Sequence, residues 1–223
     1  MMNPLSLIRR LGAVTVLAVL AALTGCATPG TPYDYTALKE AKPASLLVLP
    51  PVNDTPDVNA TYGVLSNLSM PLAEAGYYVL PVTLVDEALR TNGITTPVDA
   101  HNIDPVKLRQ IFGADAVLYV GVKQYGSVYR VLSSETVVEV QARLVDLRTG
   151  TPLWDGKATA SSAEQNNNSQ GGLVGLLVKA LVDQIANNLS DRSYQIAGVA
   201  GNRLVNAPNG LLPGPRARPA VKN

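Results

Sequence analysis

Cysteine is almost missing from this 223-residue chain, where Cys26 stands alone. One thiol excludes a disulfide framework. Histidine is equally scarce: His101 is the only one, so no Cys/His zinc cluster can be assembled. Aromatic residues make up 5% of the chain, with one tryptophan, Trp154. Charge of neither sign dominates, which excludes the basic footprint of a nucleic-acid or anionic-lipid binder. There is no Gly-x-Ser-x-Gly elbow, and Ser66 and Ser69 fall inside a helical pattern. A Ser/His/Asp hydrolase would have to recruit His101. Gly171-Gly172 precedes a helical pattern but lacks the Gly-Lys-Ser/Thr ending of a phosphate loop. An apolar run of membrane-spanning length is also missing. The uncharged stretch over 11–23 (LGAVTVLAVLAAL) is shorter than the roughly 20 residues a transmembrane helix needs.

What is present begins at that stretch. Arg9 and Arg10 precede it, and Leu23-Thr24-Gly25-Cys26 follows. Basic, apolar and small segments in that order are the parts of a secretory signal peptide. A cysteine directly after the small residues makes the site resemble the lipobox of bacterial lipoproteins. That resemblance implies a thiol alkylated with diacylglycerol, cleavage by signal peptidase II before Cys26, and acylation of the new amine, typically with palmitate. Leu23, Thr24 and Gly25 are the peptidase recognition residues and Cys26 the lipid attachment site. In the sorting scheme of Gram-negative lipoproteins, Asp after the cysteine favours inner-membrane retention, so Ala27 points to the outer membrane. Without Arg9 and Arg10 the mature chain has 16 basic against 17 acidic side chains, a formal −1.

Four regions are expected: a signal peptide over 1–25, the lipidated cysteine and a Pro- and Thr-rich tether over 26–43, an α/β domain over 44–194, and a Gly-, Pro- and Asn-rich disordered tail over 195–223. Within the domain, 45–49 is a short apolar strand stopped by Pro50-Pro51. Val64, Leu65, Leu68, Leu72 and Ala75 recur at helical spacing, with Gly76 as the stop. Residues 77–80 have strand composition. A helix follows to Arg90, and another begins at Asp104-Pro105 and ends at Gly113. Residues 116–122 are apolar on both faces, as in a central strand, and 134–146 alternate with one wet face. Arg148-Thr149-Gly150 is a tight turn into a returning strand over 152–160. An amphipathic helix is expected over 173–189, with apolar surface to spare for a homodimer or partner protein. The order is β-α-β-α-α-β-β-β-α, a mixed sheet with helices packed on it.

Three groups are candidates for chemistry. His101, between Asp99 and Asp104, could shuttle a proton or bind a metal, or be an ordinary surface-loop histidine. Asp54 and Asp57 follow the first strand, where ligands gather in α/β sheets. They are candidates for a ligand loop, with turn chemistry as the alternative. Tyr77-Tyr78 and Tyr125/Tyr129 could form an aromatic patch or half-buried strand positions.

Residues 71–82 (PLAEAGYYVLPV), 113–119 (GADAVLY) and 145–154 (VDLRTGTPLW) together resemble a family of Gram-negative outer-membrane lipoproteins that includes a neisserial surface antigen. The third stretch is also similar to the strand-turn-strand of the TolB amino-terminal domain and of the lipoprotein CsgG. The resemblance covers about 45–190. It implies a TolB amino-terminal-like fold and an envelope assembly or transport machine, with a CsgG-like pore former as partner and a homodimer as an option. It supplies no catalytic residues. The expectation is therefore a non-catalytic, outer-membrane-anchored periplasmic protein without cofactor, metal or nucleic acid. The alternatives are a periplasmic small-ligand binder or enzyme using the loop after the first strand, and a structural surface antigen.

Overall fold

The computed structural model describes residues 33–130, 133–165 and 192–217. Leu23, Thr24, Gly25, Cys26 and the helix expected over 173–189 lie outside the described residues. The described residues from Asp34 onward form one compact unit. Its elements are α1 (Thr36–Ala41), β1 (Ser45–Val48), β2 (Val52–Asn53), α2 (Ala60–Glu74), β3 (Tyr78–Val79), α3 (Val82–Thr91), α4 (Pro97–His101), α5 (Pro105–Phe112), β4 (Ala116–Arg130), β5 (Ser133–Asp146), β6 (Pro152–Ser161), a 3-10 turn (Ser162–Gln165) and α6 (Arg192–Asn206).

The strand order is β3-β1-β4-β5-β6, with β2 also pairing with β4. β1 lies parallel to β3 and β4, and β4, β5 and β6 form an antiparallel meander. This is the expected mixed sheet, with β4 in the centre. β2 continues the path of β1 along β4: Val48 pairs with Leu118 and Val52 with Gly121. Pro50 and Pro51 interrupt it because neither has an N–H to give the ladder.

Turn chemistry sets most element ends where they were expected. The Asp104 carboxylate accepts the N–H of Val106 at 2.8 Å and of Lys107 at 3.4 Å, and caps α5. Gly113 ends that helix with φ +68, and Gly150 closes the β5–β6 turn with φ +73, conformations in which a Cβ is strained. Asp146 holds the same turn by accepting from the backbone of Arg148 and Thr149.

Strand alternation divides the core in two. One face carries Leu47, Leu49, Val117, Val145 and Leu147, covered by Val85 and Leu89 of α3, Ala100 of α4 and Leu108 of α5. The opposite face is covered by α2, against β3 and β4, and by α6, against β5 and β6; these two helices also pack on each other. Leu68, Leu72, Leu118, Leu144 and Ile196 are fully buried there. At about 25 cal/mol per Å² of apolar area removed from water, these two layers supply the main driving force of the fold.

Asp115 ties the start of β1 to β4. One carboxylate oxygen accepts the N–H of Ala44 and Ser45, each at 3.0 Å, and the Ser45 hydroxyl at 2.9 Å. Burial pushes this carboxyl up, but the Ser45 hydroxyl, the two N–H groups and the Arg109 charge outweigh burial and hold it below its ordinary value. Its contribution is present above the unfolded carboxylate pKa and is lost as pH falls through the lower folded value. Asp115→Ala is expected to cost about 1.5–3 kcal/mol at neutral pH, the range for bonds to a charged acceptor, and to flatten the acid limb of a urea-denaturation pH series.

Two expectations need correction. The domain does not start at 44: α1 packs against β6, and Leu38 within it is buried. Nor is 195–223 a disordered tail as a whole. Ile196, Ala197, Val199, Ala200, Leu204 and Val205 of α6 are buried. The glycines that made this segment look like a tail allow close packing: an added Cβ at Gly198 would meet Asn67 Oδ1 at 2.9 Å, and one at Gly201 would meet the Asn67 carbonyl at 3.3 Å. Beyond α6 the chain continues to Ala217 as a strap. Asn209 O accepts the Trp154 indole N–H at 3.2 Å, Gly210 O the Tyr35 hydroxyl at 2.5 Å, and Leu212 O the Tyr77 hydroxyl at 2.7 Å. Gly214 and Arg216 donate their N–H groups to Ala75 O and Gly76 O at 2.7 and 3.0 Å.

Candidate functional site

Among the described residues, the helices α3, α4 and α5 pack over Leu47, Leu49, Val117, Val145 and Leu147. Beyond these residues the same sheet face continues as a shelf at the carboxyl end of β1, the end where open α/β sheets gather ligands. Its floor centres on Gly121 of β4, paired with Gln141 of β5. Among the described residues, a Cβ built on Gly121 would meet nothing closer than Lys123 Cε at 3.8 Å.

Three arrangements border the floor. The Arg143 guanidinium lies 5.7 Å from the Tyr119 ring centroid, a cation–π distance. Lys123 Nζ pairs with Asp54 Oδ2 at 2.6 Å, and Lys157 Nζ with Glu139 Oε1 at 2.8 Å. Both pairs are exposed enough that solvent screens them to about 0–1 kcal/mol each.

His101 forms the wall toward the helices. It lies at the end of α4, not in a loop as expected. Its Nε2 is 3.0 Å from Pro50 O, so in the neutral ring this nitrogen carries the proton. The ring meets Tyr119 edge-on at a centroid distance of 5.3 Å. Burial lowers its pKa, against the Pro50 hydrogen bond and with help from the Arg143 charge. The sign follows. The unfolded chain takes up the proton first, so stability is complete above the ordinary 6.5 and falls as pH drops through the lower folded value. The difference in urea midpoint between the wild-type chain and His101→Gln is expected to shrink from pH 7.5 to pH 5.5, because only the wild-type chain must charge this ring on unfolding.

The carboxylates near His101 serve the helices. Asp99 donates its backbone N–H to the Thr96 hydroxyl oxygen at 3.1 Å, its carboxylate accepts that hydroxyl's proton at 2.6 Å, and Asp104 caps α5. The loop after β1 is likewise held by turn chemistry. Asn53 Oδ1 accepts from Thr55 N and Oγ1 at 2.9 and 2.8 Å, and Asp57 Oδ1 accepts from Asn59 N at 2.9 Å. Of the two loop carboxylates singled out in the sequence, Asp54 reaches the shelf and Asp57 does not. No group of three or more His, Cys, Asp or Glu that could hold a metal occurs among the described residues. Ser66 Oγ donates to Tyr62 O at 2.8 Å, the back-bond of a helical serine.

The tyrosines separate. Tyr77 is buried and its phenol is pushed up to about 12 by that burial, while Tyr78 is half exposed with the Arg216 guanidinium 5.4 Å from its ring centroid. Tyr125 is buried and Tyr129 is 85% exposed. Sequence reasoning missed the Tyr119–Arg143 pair. Its signal was present in the pairing of two alternating strands, but the register that sets Tyr119 opposite Arg143 comes from the folded meander.

The described residues form a mixed α/β sheet with helices packed on it. The comparisons name the group: residues 33–216 match the family described as "Putative lipoprotein GNA1162-like", and the chain belongs to that family. The match runs through α6 and the strap, beyond the stretch of resemblance read from the sequence. A Neisseria meningitidis serogroup B (strain MC58) relative described as "Putative lipoprotein NMB1124/NMB1162" is 51% identical over 203 residues, covering 90% of this chain and 94% of its own. The crystal structure of lipoprotein GNA1162 from Neisseria meningitidis superposes with a TM-score of 0.53 at 52% identity, covering 66% of this chain and 100% of the other. The LpoB C-terminal domain from Salmonella enterica has a TM-score of 0.38 at 23% identity over 52% of this chain and 81% of its own, too slight a likeness to carry an argument.

Proposed function

We propose that this lipoprotein is a non-catalytic component of an envelope assembly or transport complex, held on the outer membrane through Cys26 with its domain in the periplasm. Its work is docking: with other envelope lipoproteins, a CsgG-like pore former among them, or with another copy of itself. The observation that carries this reading is how the chemically able side chains are used. Asp54 pairs with Lys123, Asp57 and Asp104 hold backbone N–H groups, and His101 is packed on Tyr119 and bonded to Pro50. Large apolar groups point outward instead: Val58, Met70, Leu84 and Ile111 are each more than 60% exposed. Apolar groups of this size on a surface mark places where proteins meet when they gather into patches.

In-cell cross-linking of the lipidated protein at native expression, followed by mass spectrometry, tests the reading. Capture of a CsgG-like lipoprotein or another defined envelope component supports it, and recovery of monomer alone overturns it. Trypsin added to intact cells separates the periplasmic placement from a surface antigen, since a periplasmic domain stays uncut.

The position of the shelf at the carboxyl end of β1 favours a second reading, a small-ligand site there. Asp54→Ala combined with Asp57→Ala decides between the two. Loss of the cellular phenotype with fold and cross-links intact favours the ligand site.

A further inference from the structure

The strap that follows α6 has two halves. The first is locked. Gly210 and Leu211 donate their N–H groups to Ala207 O and Val205 O at 2.7 and 2.9 Å, and the Leu211 side chain is buried. Tyr35 and Trp154 hold the carbonyls of Gly210 and Asn209. The second half, 212–217, sits on the body by its main chain. Leu212 O accepts the Tyr77 hydroxyl at 2.7 Å, and the N–H groups of Gly214 and Arg216 reach Ala75 O and Gly76 O at the end of α2. Within 212–217 only Gly214 is buried, so no apolar side chain fixes this half as Leu211 fixes the first. Pro213 and Pro215 have no N–H to add.

The second half is a turn. Ala217 N bonds back to Gly214 O at 3.0 Å, and Pro215 holds the second position, where its fixed φ suits a turn. The surface beneath is shaped to it. A Cβ at Gly214 would lie 2.6 Å from Gly76 O, and one at Gly76 would lie 2.2 Å from Ala217 N, so two glycines make the close approach possible. The carbonyls at the end of α2 are the negative end of the helix. Beside them the Arg216 guanidinium lies 5.4 Å from the Tyr78 ring centroid, a cation–π distance. The features read here are one carbonyl, two N–H groups, a glycine and a cation. Any segment that presents a Gly-Pro-Arg turn presents them.

We infer that the end of α2, with Tyr77 and Tyr78, is a docking site for a Gly-Pro-Arg turn of a partner protein, and that residues 212–217 are the chain's own occupant, displaced when the partner docks. The seated segment defines the partner's chemistry: a glycine against Gly76, a proline next, and an arginine over Tyr78. A carboxylate in place of the arginine would face the negative end of α2 and is disfavoured. Displacement costs little packing, because the partner's turn remakes the same main-chain bonds and only Gly214 leaves a buried position. The locked first half keeps Leu211 and α6 in place meanwhile. The inference deepens the docking function proposed above by naming the surface and the form of the partner, and it rests on that reading.

The test uses the full-length lipidated protein in nanodiscs and a fluorescein-labelled peptide, Leu-Leu-Pro-Gly-Pro-Arg-Ala, beside versions with alanine for its glycine or glutamate for its arginine. Gly214→Val drives a side chain into Gly76 O and empties the site. This variant is expected to bind the peptide at least about tenfold more tightly than the wild-type chain, whose own turn competes. Arg216→Glu loosens that turn without touching the packing of Gly214, and a smaller rise in the same direction keeps the test decisive if the valine disturbs the fold. Tyr77→Phe, added to Gly214→Val, removes the donor to the ligand carbonyl and is expected to lower the gain. In the wild-type chain, excess peptide is expected to speed amide exchange at Gly214 and Arg216 and to leave Leu211 unchanged, which a merely structural cap would not show. No binding by either variant, equal binding by variants and wild type, or equal binding of all three peptides overturns the inference. So does self-association that Gly214→Val abolishes, which assigns the site to a second copy. A partner captured in cells whose contacts avoid the end of α2 sinks the site and leaves the docking function standing. Peptide binding with monomer alone in cells does the reverse.

Discussion

Cys26→Ser is expected to abolish lipid attachment altogether and to leave the chain as an unprocessed precursor that keeps residues 1–25. Serine has no thiolate to alkylate, and the lipobox reading makes cleavage depend on the lipid. Fatty-acid labelling with an alkyne analogue and a gel shift check both halves. A second variant isolates the anchor: residues 1–26 are replaced by a cleavable leader with an Ala-x-Ala site. That protein is expected to be wholly soluble in the periplasmic fraction. One acyl chain gives only marginal binding, near 10⁴ M⁻¹, and each further buried methylene adds about 0.8 kcal/mol, so the lipid supplies nearly all the membrane affinity. No helix of the described residues is long and apolar enough to cross a membrane. Persistent labelling of Cys26→Ser, or retention of the leader-swapped protein on the membrane, would refute this account.

Gly76→Ala is expected to cost about 2–4 kcal/mol, large for one methyl group and traceable to two named causes. Gly76 has φ +94, where an L side chain costs roughly 1–2 kcal/mol. The new Cβ would also lie 2.2 Å from the Ala217 nitrogen, so the strap must lift. Lifting it strains the bonds of Arg216 to Gly76 O and of Gly214 to Ala75 O. A double-mutant cycle separates the causes. In a chain shortened to end at Leu211, the penalty of Gly76→Ala is expected to fall to the backbone part, about 1–2 kcal/mol. Trp154, the only tryptophan, is 2% exposed and bonded to Asn209. Its fluorescence should therefore stay blue in both chains if the strap's first half keeps its place. A full-size penalty in the shortened chain would show that Ala217 is not the obstacle.

Much of the fold was legible before the structure because its signals are local. Asp104-Pro105, Gly113 and the Arg148–Gly150 turn act through their own backbone preferences, and the apolar residues of α2 and β5 show their periods directly. The strand after Ala116 was read only as far as Val122 because a register shift between Val122 and Gln124 changes which face the following side chains take. Gly126, at φ +120, further masks the strand that continues to Arg130. α6 was missed for a related reason. Gly198, Gly201 and Asn202 lower helix propensity, and what compensates is packing on α2, which no window of sequence contains. His101 looked like a polar-loop residue because Asp99 and Asp104 flank it, yet Asp99 binds the Thr96 hydroxyl, Asp104 caps α5, and the imidazole turns inward to Pro50.

The sequence by itself determined most strand and helix types and the turns, because backbone geometry depends on a few neighbouring residues. Only the tertiary structure decided that Asp54 faces Lys123, that Arg143 stacks on Tyr119, and that residues 207–217 bind the ends of α1, α2 and β6 together. Each of these joins residues far apart in the chain, and the free energy that holds them is released only when both helical layers close on the sheet.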